Sequence, residues 1–228
     1  MKIIKLHGDY LGENTYILSF AGECVIVDPG ASIARLSKIL DFLNLKCTAV
    51  LLTHGHCDHI LGTKGLQDAG AKIYLHKDAD TMVNTSGNLA KLIGMSCERF
   101  HGDYLFESDC VIEVNGIKIR VLDTPGHSDG GVCYLIGDAL FSGDTLFAGS
   151  YGATHFHTGD LRKLKNSIID KLFALEHGIK VFSGHDTYAK RTENKIGNPM
   201  NEYLVYAAPC TLLDYEKTHN PILFGNDY

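Results

Sequence analysis

The chain has 228 residues, 45% hydrophobic and 21% charged, a composition that fits one soluble globular domain spanning 1–228 with a core of its own. A formal net charge of -6 argues against non-specific binding to nucleic acid, which depends on clustered Lys and Arg. Seven scattered cysteines (Cys24, Cys47, Cys57, Cys97, Cys110, Cys133, Cys210), never spaced as C-x-x-C, exclude a disulfide framework and a thiolate zinc knuckle, and no apolar run is long enough for a membrane span.

In chain order, "MKIIKLHGDYLG" lacks the apolar run of a signal peptide, so a reduced cytoplasm is the expected compartment. "TYILSF" and "ECVIVDPG" read as strands joined by a hairpin turn at Ala21-Gly22, and Asp28-Pro29-Gly30 stops the second. In "SIARLSKILDFLNL" the residues Ile33, Leu36, Ile39, Leu40 and Leu43 recur at helical spacing, with Ser32 at the N-cap position. "CTAVLLT" is a continuous apolar run of the buried-strand kind. "GTKGLQDAG" predicts a short helix and "AKIYLH" a further strand, whereas residues 78–104 have no clean period and read as a loosely helical excursion that could serve as a lid. "VIEVNGIKIRVLDTPGH" is a hairpin turning at Asn115-Gly116, and "VCYLIGDALFSGD" is a strand pair turning at Gly137-Asp138. "DLRKLKNSIIDKLFAL" is an amphipathic helix opening at Asp160, and "KVFSGH" a buried strand before a closing helix. Two similar series of strands and helices predict two sheets packed face to face with helices outside.

The chemistry collects where these strands end. "LLTHGHCDHILG" places His54, His56, Asp58 and His59 directly after an apolar strand, where unpaired burial of polar groups costs several kcal/mol unless something compensates, a metal ion being the first candidate. His127, Asp144 and His185 each follow a strand and a glycine, in Gly126-His127, Gly143-Asp144 and Gly184-His185. Glycine permits the sharp turn that would bring each side chain to a shared centre. His54, His56 and His127 could face one ion and Asp58, His59 and His185 a neighbouring one, with the two oxygens of Asp144 as the natural bridge. Imidazole and carboxylate without thiolate suit two divalent ions, zinc first, with iron or manganese as alternatives. Ions about 3.5–4 Å apart hold a bridging water as hydroxide near neutral pH and polarise a substrate oxygen. Cys57, between ligands, is assigned a structural role. His7, His76, His101, His177 and His219 are expected at the surface or in loops.

With these residues in view the sequence resembles the metallo-β-lactamase superfamily: "VIVDPG", "THGHCDH", "TPGHSDGGVCYL", "FSGDTLF" and "FSGH" occur in that family's order over most of the chain. The resemblance implies a four-layer αββα sandwich of two mixed β-sheets with outer helices. It implies the same ligand set, His54, His56 and His127, then Asp58, His59 and His185, with Asp144 bridging, and Asp58 in the catalytic role. Asp28 matches a position that supports the site from beneath, although a turn-forming Asp before Pro explains it equally well.

Within the superfamily, "GDTLFAGSYGATHFHTGD" and the region after His185 look like the short glyoxalase II-like hydrolases, which implies a metal-dependent hydrolase of a small thioester or ester, or a lactonase. The sequence departs from that pattern at Ala153, His155 and His157, in "AKRT" after the last ligand, and in lacking a separate glutathione-gripping domain, while Asn198-Pro199 keeps it. Tyr151, His155 and His157 are therefore the candidate substrate-side residues. The alternative is an oxidoreductase of the persulfide dioxygenase kind, using one iron on His54, His127 and Asp144. A small molecule is the expected partner, with no nucleic acid and no membrane. The oligomeric state is not legible.

Overall fold

Apolar side chains along the central strands alternate between two destinations, and that alternation sets the layers. The computed structural model describes residues 1–186, 194–196 and 204–224. Within them lie β1 (Lys2–His7), β2 (Asn14–Phe20), β3 (Glu23–Val27), α1 (Ile33–Leu43), β4 (Lys46–Leu51), α2 (Cys57–Ile60), α3 (Thr63–Asp68), β5 (Lys72–His76), α4 (Lys77–Val83) and β6 (Tyr104–Phe106). These are followed by β7 (Cys110–Val114), β8 (Ile117–Asp123), β9 (Val132–Ile136), β10 (Ala139–Gly143), β11 (Leu146–Phe147), β12 (Ser150–Tyr151), α5 (Leu161–Asn166), β13 (Lys180–Ser183), β14 (Asn194–Lys195), β15 (Leu204–Tyr206), β16 (Thr211–Leu212) and α6 (Leu213–His219).

One sheet has the order β14-β15-β1-β2-β3-β4-β5-β6 and the other β16-β13-β10-β9-β8-β7; both are mixed. Tyr16 and Leu18 of β2, Val25 and Val27 of β3, and Ala49 and Leu51 of β4 point at the opposing sheet, where they meet Val121, Tyr134, Phe141 and Phe182. The intervening residues Ile17, Cys24, Ile26 and Val50 point the other way, onto Leu36, Ile39 and Leu66 of the helices. On the far side, Cys133, Leu135, Leu140 and Val181 pack on Leu164, Ile168, Leu172 and Leu213. Period-two alternation thus splits each strand between a shared inner core and an outer helical layer, giving the αββα sandwich that the resemblance implies.

The expected turns form: Ala21 and Gly22 have φ of 47° and 83°, and Asn115 and Gly116 have 52° and 76°, the mirror-image turn that suits strand twist. Ser32 takes the N-cap position without a side-chain bond, and Asp160 caps α5 by accepting from Lys163 N. Strand β1 is not evident in the sequence. "KIIKLH" places Lys5 at a position only 2% exposed, which hides the alternation; its ammonium lies 2.9 Å from Asp186 Oδ2. The region 78–104 becomes α4, two single 3₁₀ turns at Ser86–Asn88 and Ala90–Ile93, irregular chain and the start of β6.

Candidate metal centre

Strands β8, β10 and β13 run in the same direction, so the residues following their C-terminal ends share one edge of the second sheet. The residues after β4 reach the same edge from the first sheet, where Val132 N donates to Thr53 O at 2.8 Å across the sandwich. His54, His56, Asp58, His59 and His127 are buried there, and Asp144 and His185 are partly so. One nitrogen each from His54, His56 and His127 lie within 4.8 Å of one another, and so do ligand atoms of Asp58, His59 and His185. Asp144 touches both groups: Oδ2 is 3.5 Å from His127 Nε2 and 3.5 Å from His185 Nε2, and Oδ1 is 3.4 Å from His59 Nε2. The structure therefore brings together all seven residues that the strand-end pattern singles out.

The backbone makes this approach possible at two glycines. Gly143 has φ of 48°, and a Cβ there would run into the Thr53 side chain. At Gly184 a Cβ would meet the Asp144 carboxylate and stand 2.8 Å from His59 Cε1. No larger residue fits either position without displacing a site residue.

Hydrogen bonds fix the imidazole tautomers. The Thr53 hydroxyl donates to Asp28 Oδ2 at 2.6 Å, so its lone pair accepts from His54 Nδ1 at 3.0 Å. Asp28 Oδ2 also accepts from His59 Nδ1 at 3.0 Å, and Ala153 O accepts from His127 Nδ1 at 2.7 Å. Each ring thus donates through Nδ1 and turns an unprotonated Nε2 toward the centre, as partners of metal-ligating histidines do. His54 Nε2, His59 Nε2 and Asp144 Oδ1 are buried with no hydrogen-bond partner, and His127 Nε2 faces His56 Nδ1 at 2.9 Å. Converging lone pairs left bare in this way are costly by themselves and fit a bound cation.

Electrostatics separate the two groups. Burial, then the neighbouring imidazoles, holds His54 well below the usual histidine range, and burial with the His127 imidazole brings His56 down to about 3. Both are neutral at physiological pH, as a ligand must be. Burial also works against charge on His59 and His185, but Asp144 and Asp58 outweigh it and push both up. Asp58 is held low, since His59 and His185 overcome its desolvation. Asp28 has φ of 48° and accepts from Thr53 N at 2.7 Å as well, so it is both a turn residue and a support under the site.

Around the centre, several expectations change. His155 and His157 are exposed, and His157 lines a separate cavity with Asp78 and Asp129. Tyr151 packs against the outer core beneath α5. None of the three lines the pocket over the metal-type groups. Phe156, between the two histidines, does so instead. His76 is buried at the end of β5, where it accepts from Asp78 N, and His7 ends β1, whereas His101, His177 and His219 are exposed as expected. Cys57 packs with Ala90 and Met95 and also borders the pocket over the centre. The "AKRT" segment and Asn198-Pro199 lie outside the described residues.

Sequence reasoning missed Thr53 and Glu13. Glu13 is fully buried, pairs across a β-bridge with His185, and accepts from Thr15 Oγ1 at 2.8 Å; burial pushes its carboxyl well up. A lone Glu in a loop carries no signal of this.

Residues 8–185 match the family model described as the metallo-beta-lactamase superfamily. The chain is 34% identical over 180 residues to a Bacillus subtilis (strain 168) protein named "Probable metallo-hydrolase YqgX", covering 75% of this chain and 84% of that one. It is 32% identical over 183 residues to the hydroxyacylglutathione hydrolase GloC of Haemophilus influenzae, covering 78% and 86%. Among solved structures it is similar to the B3 metallo-beta-lactamase BLEG-1, with a TM-score of 0.81 and 29% identity over 97% of this chain and 99% of that one.

Proposed function

Because the chain belongs to the metallo-beta-lactamase superfamily, we propose that it is a metal-dependent hydrolase of a small thioester or ester, with two divalent ions held by the seven strand-end residues. His54, His56 and His127 would hold one ion and Asp58, His59 and His185 the other, with Asp144 shared between them. The observation that carries the reading is Asp144, whose carboxylate lies within 3.5 Å of a histidine in each group. Zinc suits the donor set best, with iron or manganese as alternatives. Such ions, when bound, supply a water ionised near neutral pH and polarise the carbonyl under attack.

The chain's own residues do the positioning. Asp58, ionised and flanked by His185 at 3.4 Å and His59 at 3.7 Å, would help hold the second ion and orient the attacking water through a carboxylate oxygen. Asp28 and Thr53 hold His59 and His54 in the ligating tautomer. No Ser or Cys nucleophile is required.

Metal analysis of protein purified without added metal, with hydrolysis assays on S-lactoylglutathione and simpler thioesters, tests this reading. Two ions per chain are expected, and Asp58→Asn should cut turnover by at least a hundredfold. One tightly bound iron, oxygen consumption with a persulfide and no hydrolysis would replace the hydrolase by the persulfide dioxygenase reading.

A further inference from the structure

Three separate segments converge over the candidate centre, and what they present is apolar. The pocket that opens onto His56, Asp58, His127, Asp144 and His185 has a volume of about 220 Å³. Its walls are Leu11 from the β1–β2 loop, Leu89, Leu92 and Ile93 from the 3₁₀ segment, and Phe147 and Phe156 from the chain after Asp144, with the small side chains of Cys57 and Ala153 between them. The two phenyl rings divide the centre between them. Phe156 lies edge-on to His56 at 6.0 Å, beside the first group, and Phe147 lies edge-on to His185 at 6.0 Å, beside the second.

Two features separate this rim from scattered surface leucines, which by themselves mean nothing. Leu11 and Leu92 are 64% and 68% exposed, yet both line a cleft that leads to the polar centre. Leu11 and Leu89 also sit at φ of 55° and 63°, a left-handed conformation that Gly or Asn adopts far more readily than a bulky side chain. A leucine at such a backbone position carries a conformational cost that contacts of its side chain can offset. No Lys or Arg is among the described residues that line the pocket.

Resting on the hydrolase reading above, we infer that the pocket is an acyl subsite for an uncharged, apolar acyl group of about six carbons or one aromatic ring. The size follows from comparison with an apolar cavity of about 150 Å³, which accepts benzene. In this arrangement the scissile carbonyl faces Asp58 and Asp144, and the acyl chain runs outward between Phe147 and Phe156 under Leu92. Each methylene buried there should raise the specificity constant by about fourfold. A polar, charged acyl-thiol such as S-lactoylglutathione gains none of this.

Binding and turnover can be read separately. Calorimetry would compare S-hexyl- with S-methyl-N-acetylcysteamine, thioethers that cannot be hydrolysed; the hexyl probe should bind at least tenfold tighter. Turnover would be measured on acetyl, butanoyl, hexanoyl and dodecanoyl thioesters of N-acetylcysteamine, with kcat/KM rising at least tenfold to hexanoyl and falling at dodecanoyl. Leu92→Ser, an exposed position where misfolding is not expected, and Phe156→Ala should each shrink the hexyl-to-methyl gap at least threefold. Equal binding of the two thioethers, or a higher kcat/KM for S-lactoylglutathione than for the hexanoyl thioester, would overturn the inference. A clear hexyl-to-methyl gap with no thioester hydrolysed at any metal loading would overturn the hydrolase reading and leave the apolar subsite standing.

Discussion

Replacing Asp28 tests whether it is a turn residue or a support for the centre, because the two roles predict different results for two variants. The side chain is 2% exposed and accepts from Thr53 N at 2.7 Å, Thr53 Oγ1 at 2.6 Å and His59 Nδ1 at 3.0 Å. In Asp28→Ala three buried donors lose a charged acceptor. Hydrogen bonds to charged groups are worth about 1.5–3 kcal/mol each, but relief of carboxylate desolvation offsets part of the sum, so about 3–5 kcal/mol is expected. The left-handed φ of 48° adds about 1 kcal/mol for alanine. Asp28→Asn keeps the turn and one acceptor for Thr53 N, so its stability should fall much less. Its amide nitrogen, however, would face His59 Nδ1 and donate to it, which moves the ring proton to Nε2 and removes a ligand. Asparagine should therefore bind the second ion 10–100-fold more weakly while folding nearly normally. Urea unfolding of chelator-treated protein reads the first effect, and competition with a chromophoric chelator reads the second. An Asn variant with unchanged metal affinity, or an Ala variant within about 1 kcal/mol of the parent, would show that Asp28 only makes the turn.

Metal removal should destabilise the protein, since ions that bind the folded state alone add about 4 kcal/mol per site at a thousandfold excess over Kd; identical thermal midpoints with and without chelator would contradict this. Asp9 accepts from Ser32 N at 2.9 Å and from Arg35 at 2.8 Å at the start of α1, and although burial opposes it, these bonds hold its carboxyl low. A depressed carboxylate stabilises above its unfolded value and loses that contribution as pH falls through the folded one, so Asp9→Asn should cost under about 1 kcal/mol at pH 7 and nothing near pH 2. A deficit that persists at pH 2 would refute the assignment.

The cluster of candidate ligands was legible because its signal is local. Polar residues directly follow apolar strands, three of them after a glycine, and the structure explains the glycines at Gly143 and Gly184 by the crowding around Thr53 and Asp144. Strand β1 was not legible because Lys5 interrupts its alternation, and the reason Lys5 is tolerated lies 181 residues away at Asp186. The pocket rim was illegible for a different reason. Leu11, Leu89 and Phe156 lie in turns, where no period relates one residue to the next, and their common target appears only once three loops are assembled. His155 and His157 stood out as departures from the relatives' pattern, which carries no information on direction, and it is Phe156 between them that lines the pocket.

These two kinds of legibility match two kinds of mechanical support. Each strand that delivers a candidate ligand packs in the inner core and in one outer core, and the Nδ1 atoms of His54, His59 and His127 are tied to Thr53, Asp28 and the Ala153 carbonyl. Moving a ligand therefore means disturbing two packed layers at once. Leu11 and Leu92 have no such backing, since both are mostly exposed and belong to short turns. Substitutions there touch neither the cores nor the tautomer-fixing bonds. Such a division would let substrate preference change through a few rim side chains while the candidate centre stays intact.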